Sequence, residues 1–191
     1  NSPELYVMLS TLYEEKADYP KAINMLNEAR KYDQKNLDLL YQIGMLYEKS
    51  GDTDKALVHM EDVLRSDPEH TNALNFVGYT WADKGINLDK AEAMIKKALS
   101  KKPDDGYIID SIGWVYYKKG EYKQALTELI KAHQKLPDDP TIAEHVGEAY
   151  FSLQQYDKAI EYLEKSLKLE SKEEKKKNIE QKIKNIEEKR K

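Results

Sequence analysis

Any chemistry in this sequence must come from few residue types. There are 4 histidines and 35 carboxylates but no cysteine, so disulfides, thiolate metal sites and cysteine nucleophiles are excluded. The most suggestive group is His145 in "AEHVGEAY" (residues 143–150), flanked by Glu144 and Glu148. On a helix, His145 and Glu148 lie three residues apart and share a face, as two metal ligands do. A pair alone is not a site, no further ligand is evident, and no metal is expected. His59, His70 and His133 are scattered and read as surface residues. Ser111 lacks evident histidine and carboxylate partners for nucleophilic catalysis, and the glycines form no phosphate-binding loop. The expectation is a non-enzyme without a cofactor.

A second conspicuous stretch is "GYIIDSIGWVYYKKG" (residues 106–120), with three tyrosines and a tryptophan. These are too many aromatics to bury on one narrow helix face. Charged residues make up 35% of the chain and apolar residues 40%, with only 8 Gly and 6 Pro, a balance that favours helix over sheet. The net charge of −4 argues against a general nucleic-acid binder, which needs a basic face. No apolar run approaches the roughly 20 residues that span a bilayer, so no direct membrane insertion is expected. The chain begins at Asn1 without Met or a signal sequence and reads as a trimmed piece, with any targeting segment out of view.

The elements that must position these residues follow a fixed period. Gly44, Gly78, Gly113 and Gly147 recur at spacings of 34, 35 and 34. Ala22, Ala56, Ala91, Ala125 and Ala159 keep the same rhythm, as do Pro68, Pro103 and Pro137. Periods of this size mean stacked supersecondary units. Each unit reads as two helices. In the fourth, Ile109, Ile112 and Tyr116 form one stripe, a turn follows at Lys118–Gly120, and Ala125, Leu129 and Ala132 form the next stripe. Gly113 and Ala125 allow close approach where the two helices cross. Ser2-Pro3 and Asp139-Pro140 read as helix starts with a capping side chain, and Pro20 opens a second helix in the same way.

Read in order, the matching residues are Tyr6, Leu9, Ser10, Tyr13, Ala22, Leu26 and Ala29; then Leu40, Ile43, Gly44, Tyr47, Gly51, Ala56, Met60 and Pro68; then Leu74, Val77, Gly78, Trp81, Gly85, Ala91, Ile95, Ala98 and Pro103. They continue as Ile109, Ile112, Gly113, Tyr116, Gly120, Ala125, Leu129, Ala132 and Pro137, and finally Ala143, Val146, Gly147, Tyr150, Ala159, Leu163 and Ser166. This pattern resembles the tetratricopeptide repeat (TPR). The resemblance implies an all-α fold, a right-handed superhelical α-solenoid of five helix-turn-helix repeats over residues 3–36, 37–70, 71–105, 106–139 and 140–170. Ser10 and Gln34 depart from the pattern in the first repeat and Gln154 in the fifth, as expected of terminal units, although further repeats could precede Asn1. Residues 171–191 carry nine basic and five acidic residues with a thin stripe of Ile179, Ile183 and Ile186. They are expected to form a C-terminal capping helix on Leu163 and Leu167, the alternative being a basic recognition arm.

The resemblance also implies that the first helix of each repeat lines a concave groove. Helical spacing puts Asp110, Trp114 and Tyr117 on a face other than the Ile109, Ile112, Tyr116 stripe, so Trp114 and Tyr117 are expected to look into that groove. The equivalent positions elsewhere supply Tyr41, Met45, Asn75, Tyr79, Glu148 and Phe151. Exposed aromatics with a few polar groups suit a peptide or protein partner; the alternative is that they pack locally or against another subunit in a homo-oligomer. The lysine and asparagine cradle that some TPRs use for acidic tails is missing, because Val7, Thr11, Tyr41, Met45, Asn75 and Tyr79 occupy its positions. Helical repeats that read RNA are a further alternative, but Glu14, Glu48, Asp83, Asp110, Glu144 and Glu148 would make this groove acidic. The third and fourth repeats are also similar in texture to bacterial TPR lipoproteins, some of which anchor at the outer membrane and present substrates to a periplasmic protease. With catalytic chemistry set aside, the resemblance implies a non-catalytic interaction scaffold or adaptor, in the envelope or alternatively in the cytoplasm.

Overall fold

A computed structural model describes residues 2–190, all of whose regular structure is helical. Asn1 and Lys191, the expected trimmed start and the last residue of the expected capping segment, lie outside the described residues. The described chain divides into two compact units, one ending at Val77 and the other beginning at Gly78. The first holds α1 (Pro3–Glu15), α2 (Tyr19–Arg30), α3 (Leu37–Lys49), α4 (Thr53–Ser66) and the start of α5 (Thr71–Asp83). The second holds the end of α5, then α6 (Leu88–Lys101), α7 (Gly106–Lys118), α8 (Tyr122–Lys135), α9 (Pro140–Ser152), α10 (Tyr156–Leu169) and α11 (Glu173–Arg190).

The helices begin where short polar side chains take up free backbone donors. Ser2 accepts from the Leu5 N–H, Asn36 from Leu39, and Asp139 from both Thr141 and Ile142, as N-caps do. Pro3, Pro20 and Pro140 each lie in a first turn, where a missing N–H costs nothing. His70 is not a plain surface residue: its Nδ1 accepts from the Ala73 N–H at 3.2 Å and starts α5. His59 and His133 are half-buried.

Every hairpin turns in the same way. Ala17, Gly51, Gly85, Gly120 and Gln154 all take positive φ, between 55° and 85°. The residue after each donates its N–H at 2.9 Å to the carbonyl of Tyr13, Tyr47, Trp81, Tyr116 or Tyr150. This left-handed C-terminal closure satisfies carbonyls that the helix leaves free. The extra residue of the third repeat is absorbed at Asn87, whose φ of 51° repeats the left-handed conformation before α6.

Packing then follows the small residues. In the first unit α1 pairs with α2 and α3 with α4, while α2 also packs on α3. Ala22, Ile23, Leu26 and Ala29 share a core with Leu39, Ile43 and Leu46. In the second unit α7 pairs with α8 and α9 with α10, with α6 on α7, α8 on α9 and α10 on α11. A β-carbon at Gly113 would lie 2.8 Å from two side-chain carbons of Leu129 and 3.1 Å from its backbone nitrogen, so α7 and α8 cross at this spacing only because that atom is missing. Ser10, which takes the glycine's place in α1, donates its hydroxyl to the Ala22 carbonyl at 3.0 Å.

Ile109, Ile112 and Tyr116 are buried, as the stripe demands. Ile179 and Ile186 of α11 are buried too, whereas Ile183 is only half covered. Two fully buried isoleucines contribute about 1.5–3 kcal/mol each, a modest holding for a helix of 18 residues.

Candidate interaction face on the first helices

In the second unit, the face built by α9, α7 and the end of α5 has a buried polar centre. Asp110 and His145 are 6% and 5% exposed. The His145 Nδ1 lies 2.9 and 3.0 Å from the two Asp110 carboxylate oxygens, a geometry in which Nδ1–H donates to the carboxylate. Burial by itself would push the imidazole pKa down. The charge and hydrogen bond of Asp110, with help from Glu148 and Glu144, outweigh it and hold His145 above its ordinary value. The buried charge is therefore tolerated because it is paired.

Trp114 does not look out from this face, contrary to expectation. Its side chain is only 5% exposed. The indole stacks on the His145 ring at 3.9 Å and on Tyr117 at 4.6 Å. Its Nε1–H donates to Asp83 Oδ1 at 3.2 Å, and the Lys118 ammonium lies 4.9 Å from the ring. Residues from the helices on both sides thus close over Trp114, with the His145 ring stacked on its face and the Lys118 ammonium adding a cation–π attraction. Asp110, expected as an open polar contact, is consumed by His145 in the same cluster.

The remaining expected residues divide by unit. In the second, Tyr79, Tyr117, Glu148 and Phe151 are half-buried. Tyr79 lies 6.3 Å from the His145 ring, and the Tyr117 hydroxyl accepts from Ser152 at 3.3 Å. In the first unit, Tyr41 and Met45 are half-buried, with the Tyr41 ring 5.1 Å from His70. The Asn75 carbonyl oxygen there is buried without a hydrogen-bond partner among the described residues.

The contact that the sequence did not announce is Lys182. From α11 it reaches both Glu144, at 2.7 Å, and Glu148. Those two carboxylates are one turn apart on α9 and hold the ammonium between them. They keep the Lys182 pKa raised although burial acts to lower it. Further along, Lys189 lies 4.9 Å from the Phe151 ring centre and Arg190 pairs with Asp157 at 2.9 Å. Between α11 and the face remains a cavity of about 550 Å³, lined by Tyr117, Glu148, Phe151 and Leu163 against Lys182 and Ile186.

The two residues weighed for chemistry have other partners. The Ser111 hydroxyl donates to the Tyr107 carbonyl at 2.9 Å, within its own helix. His145 points its Nδ1 at Asp110 rather than sharing a ligand with Glu148. Among the described residues no group of three or more His, Asp or Glu side chains could hold a metal ion, and no helix is long and apolar enough to cross a membrane.

Comparison with known proteins gives one consistent answer. A family model described as tetratricopeptide repeat matches residues 12–78, and one described as anaphase-promoting complex, cyclosome, subunit 3 matches residues 84–166. The TPR repeat-containing protein PA4667 of Pseudomonas aeruginosa is 34% identical over 122 residues, covering 64% of this chain; the match spans 21% of that protein's length. Among solved structures, PilW, a type IV pilus biogenesis factor, superposes with a TM-score of 0.79 at 20% identity, over 96% of this chain and 85% of PilW. A tetratricopeptide repeat protein of Parabacteroides merdae gives 0.78 at 22%, over 97% and 72%. MamA of Desulfovibrio magneticus gives 0.71 at 20%, over 87% and 94%. At these identities the structures speak for the fold, which in general is a non-catalytic scaffold for protein partners. With five hairpins closed by the same turn and small residues at the same crossings, the chain belongs to the tetratricopeptide-repeat proteins.

Proposed function

We propose that this chain is a non-catalytic interaction scaffold that holds a peptide or protein partner on the face of its first helices. The observation that carries the reading is the cavity of about 550 Å³ on that face, where Tyr117 and Phe151 are half-buried and open to it beside Glu148. Aromatics with one rotamer-poor ring and a nearby polar group are the side chains from which binding anchors are made. The Asp110–His145–Trp114 cluster beneath them has its polar groups paired, so the aromatics above stand on a rigid base. In the first unit, Tyr41, Met45 and Asn75 form a second and separate set of candidate contacts. The acidic side chains Glu144 and Glu148 favour a protein ligand over RNA.

The likeness in texture of the third and fourth repeats to bacterial TPR lipoproteins supports a role as an adaptor in a bacterial envelope, and the TPR relative in P. aeruginosa is bacterial. Photo-cross-linking tests both parts of the reading. A photoreactive phenylalanine placed at Tyr79 or Tyr117 should trap the same partner from an envelope extract, and one at the exposed Val58 should not. Identical products from all three positions, or none, would remove the partner-binding face. Trapped partners confined to the cytoplasm would remove the envelope role.

A further inference from the structure

The backbone of α11 packs on α10 as α9 does on α8, but what α11 presents to α9 is mostly charge. Lys182 is seated between Glu144 and Glu148, Lys189 over Phe151, and Arg190 on Asp157. Three cations of one helix therefore address two carboxylates on α9, an aromatic ring, and a third carboxylate at the start of α10. Apolar contact is thin: of the 18 residues in α11, only Ile179 and Ile186 are buried. Nor is the helix flush with the face: a cavity of about 550 Å³ lies beside Tyr117 and Phe151, and Lys189 spans to the Phe151 ring across its edge. The joint before it is short. Glu170 accepts both the Ser171 and Lys172 N–H groups at 2.8 Å, and the chain turns from α10 into α11 there.

From this geometry we infer that α11 is a displaceable stand-in for the partner, and that the partner is a basic amphipathic helix. The inference rests on the partner-binding reading of this face and names the occupant. Such a helix would present a lysine to Glu144 and Glu148, a second cation about two turns on to Phe151 and Asp157, and isoleucine-like residues between them. It outcompetes α11 by filling what α11 leaves empty. Asn185 lines the cavity with a short polar side chain whose hydrogen bond, from Gln181 at 2.8 Å, is exposed. A partner with a bulky apolar residue at that position fills the space beside Tyr117 and Phe151, where α11 meets the Phe151 ring through Lys189. Charge complementarity sets the register, and apolar filling supplies the margin for exchange.

The experiment uses the full chain and a synthetic peptide with the sequence of residues 172–190 carrying Asn185→Leu, labelled for fluorescence anisotropy. Lys182→Glu sets a carboxylate against Glu144 and Glu148 and should release α11 in cis. The peptide should then bind this variant at least tenfold more tightly than it binds the unaltered chain, where α11 competes. Equal binding to both, or binding to neither, overturns the inference, and so does an α11 that stays docked in the variant. Should the variant lose its fold, hydrogen exchange on the unaltered chain decides. The amides of α11 should exchange at least tenfold faster than those of α9 and α10, and matched protection across the three helices overturns the proposal. Failure here leaves the cross-links from Tyr79 and Tyr117 unaffected, so the two readings fall separately.

Discussion

Asp110 and His145 face each other from α7 and α9, 35 residues apart, with the imidazole Nδ1 within 3.0 Å of both carboxylate oxygens. Both side chains are buried, so the pair couples two neighbouring repeats through charge as well as packing. Its strength depends on the imidazole being protonated.

That dependence has a definite sign. The folded chain holds the His145 pKa above the ordinary value of 6.5: burial opposes this, and Asp110, Glu148 and Glu144 together prevail. A raised folded value means that the stabilisation is complete below about pH 6.5 and is lost as pH rises through the folded value. His59 and His133 act in the opposite sense, because burial, the main cause, lowers both. Urea midpoints between pH 5.5 and 8.5 should therefore be compared with those of His145→Gln. The difference between the two proteins should shrink toward high pH; a constant difference would remove the charged pair.

Trp114→Ala separates a structural indole from a ligand anchor. With the side chain 5% exposed and stacked on His145 and Tyr117, truncation should cost about 3–5 kcal/mol, read as a large drop in the unfolding midpoint. An unchanged midpoint would mean that the indole is free after all.

Gly113→Ala tests the helix crossing. The added carbon would meet side-chain and backbone atoms of Leu129 at 2.8–3.1 Å, and overpacking of this kind costs about 1–3 kcal/mol. Thermal unfolding measures it, with the second unit expected to weaken.

Gln154→Gly tests the turn chemistry in the other direction. Gln154 holds φ at 58°, where the three middle repeats place glycine. Relief of the left-handed strain is worth about 1–2 kcal/mol, offset in part by the greater freedom of glycine in the unfolded chain. A net rise in the unfolding midpoint is expected, and a fall would show that the Gln154 side chain contributes more than its backbone costs.

The repeat itself was legible because it is written in local terms. Small residues at Gly44, Gly78, Gly113 and Gly147, caps at Ser2 and Asp139, and left-handed turns at Gly51, Gly85 and Gly120 each act within one hairpin, and each left a mark at a fixed spacing. Even where the turn residue departs from glycine, at Ala17 and Gln154, the surrounding period dictates the same backbone.

The use of the face was not legible in this way. Helical periodicity placed Asp110, Trp114 and Tyr117 on one side of α7, but whether that side stays open depends on what the neighbouring helices bring to it. His145 and Asp83 arrive from other repeats and close over the indole, and Lys182 arrives from α11 to claim Glu144 and Glu148. The sequence by itself determined the hairpins, their turns and their core stripes, because those depend on spacing along one chain segment. Only the tertiary structure decided which side chains stay available, since burial of a charged or aromatic group depends on partners about 30 to 40 residues away that no local pattern encodes.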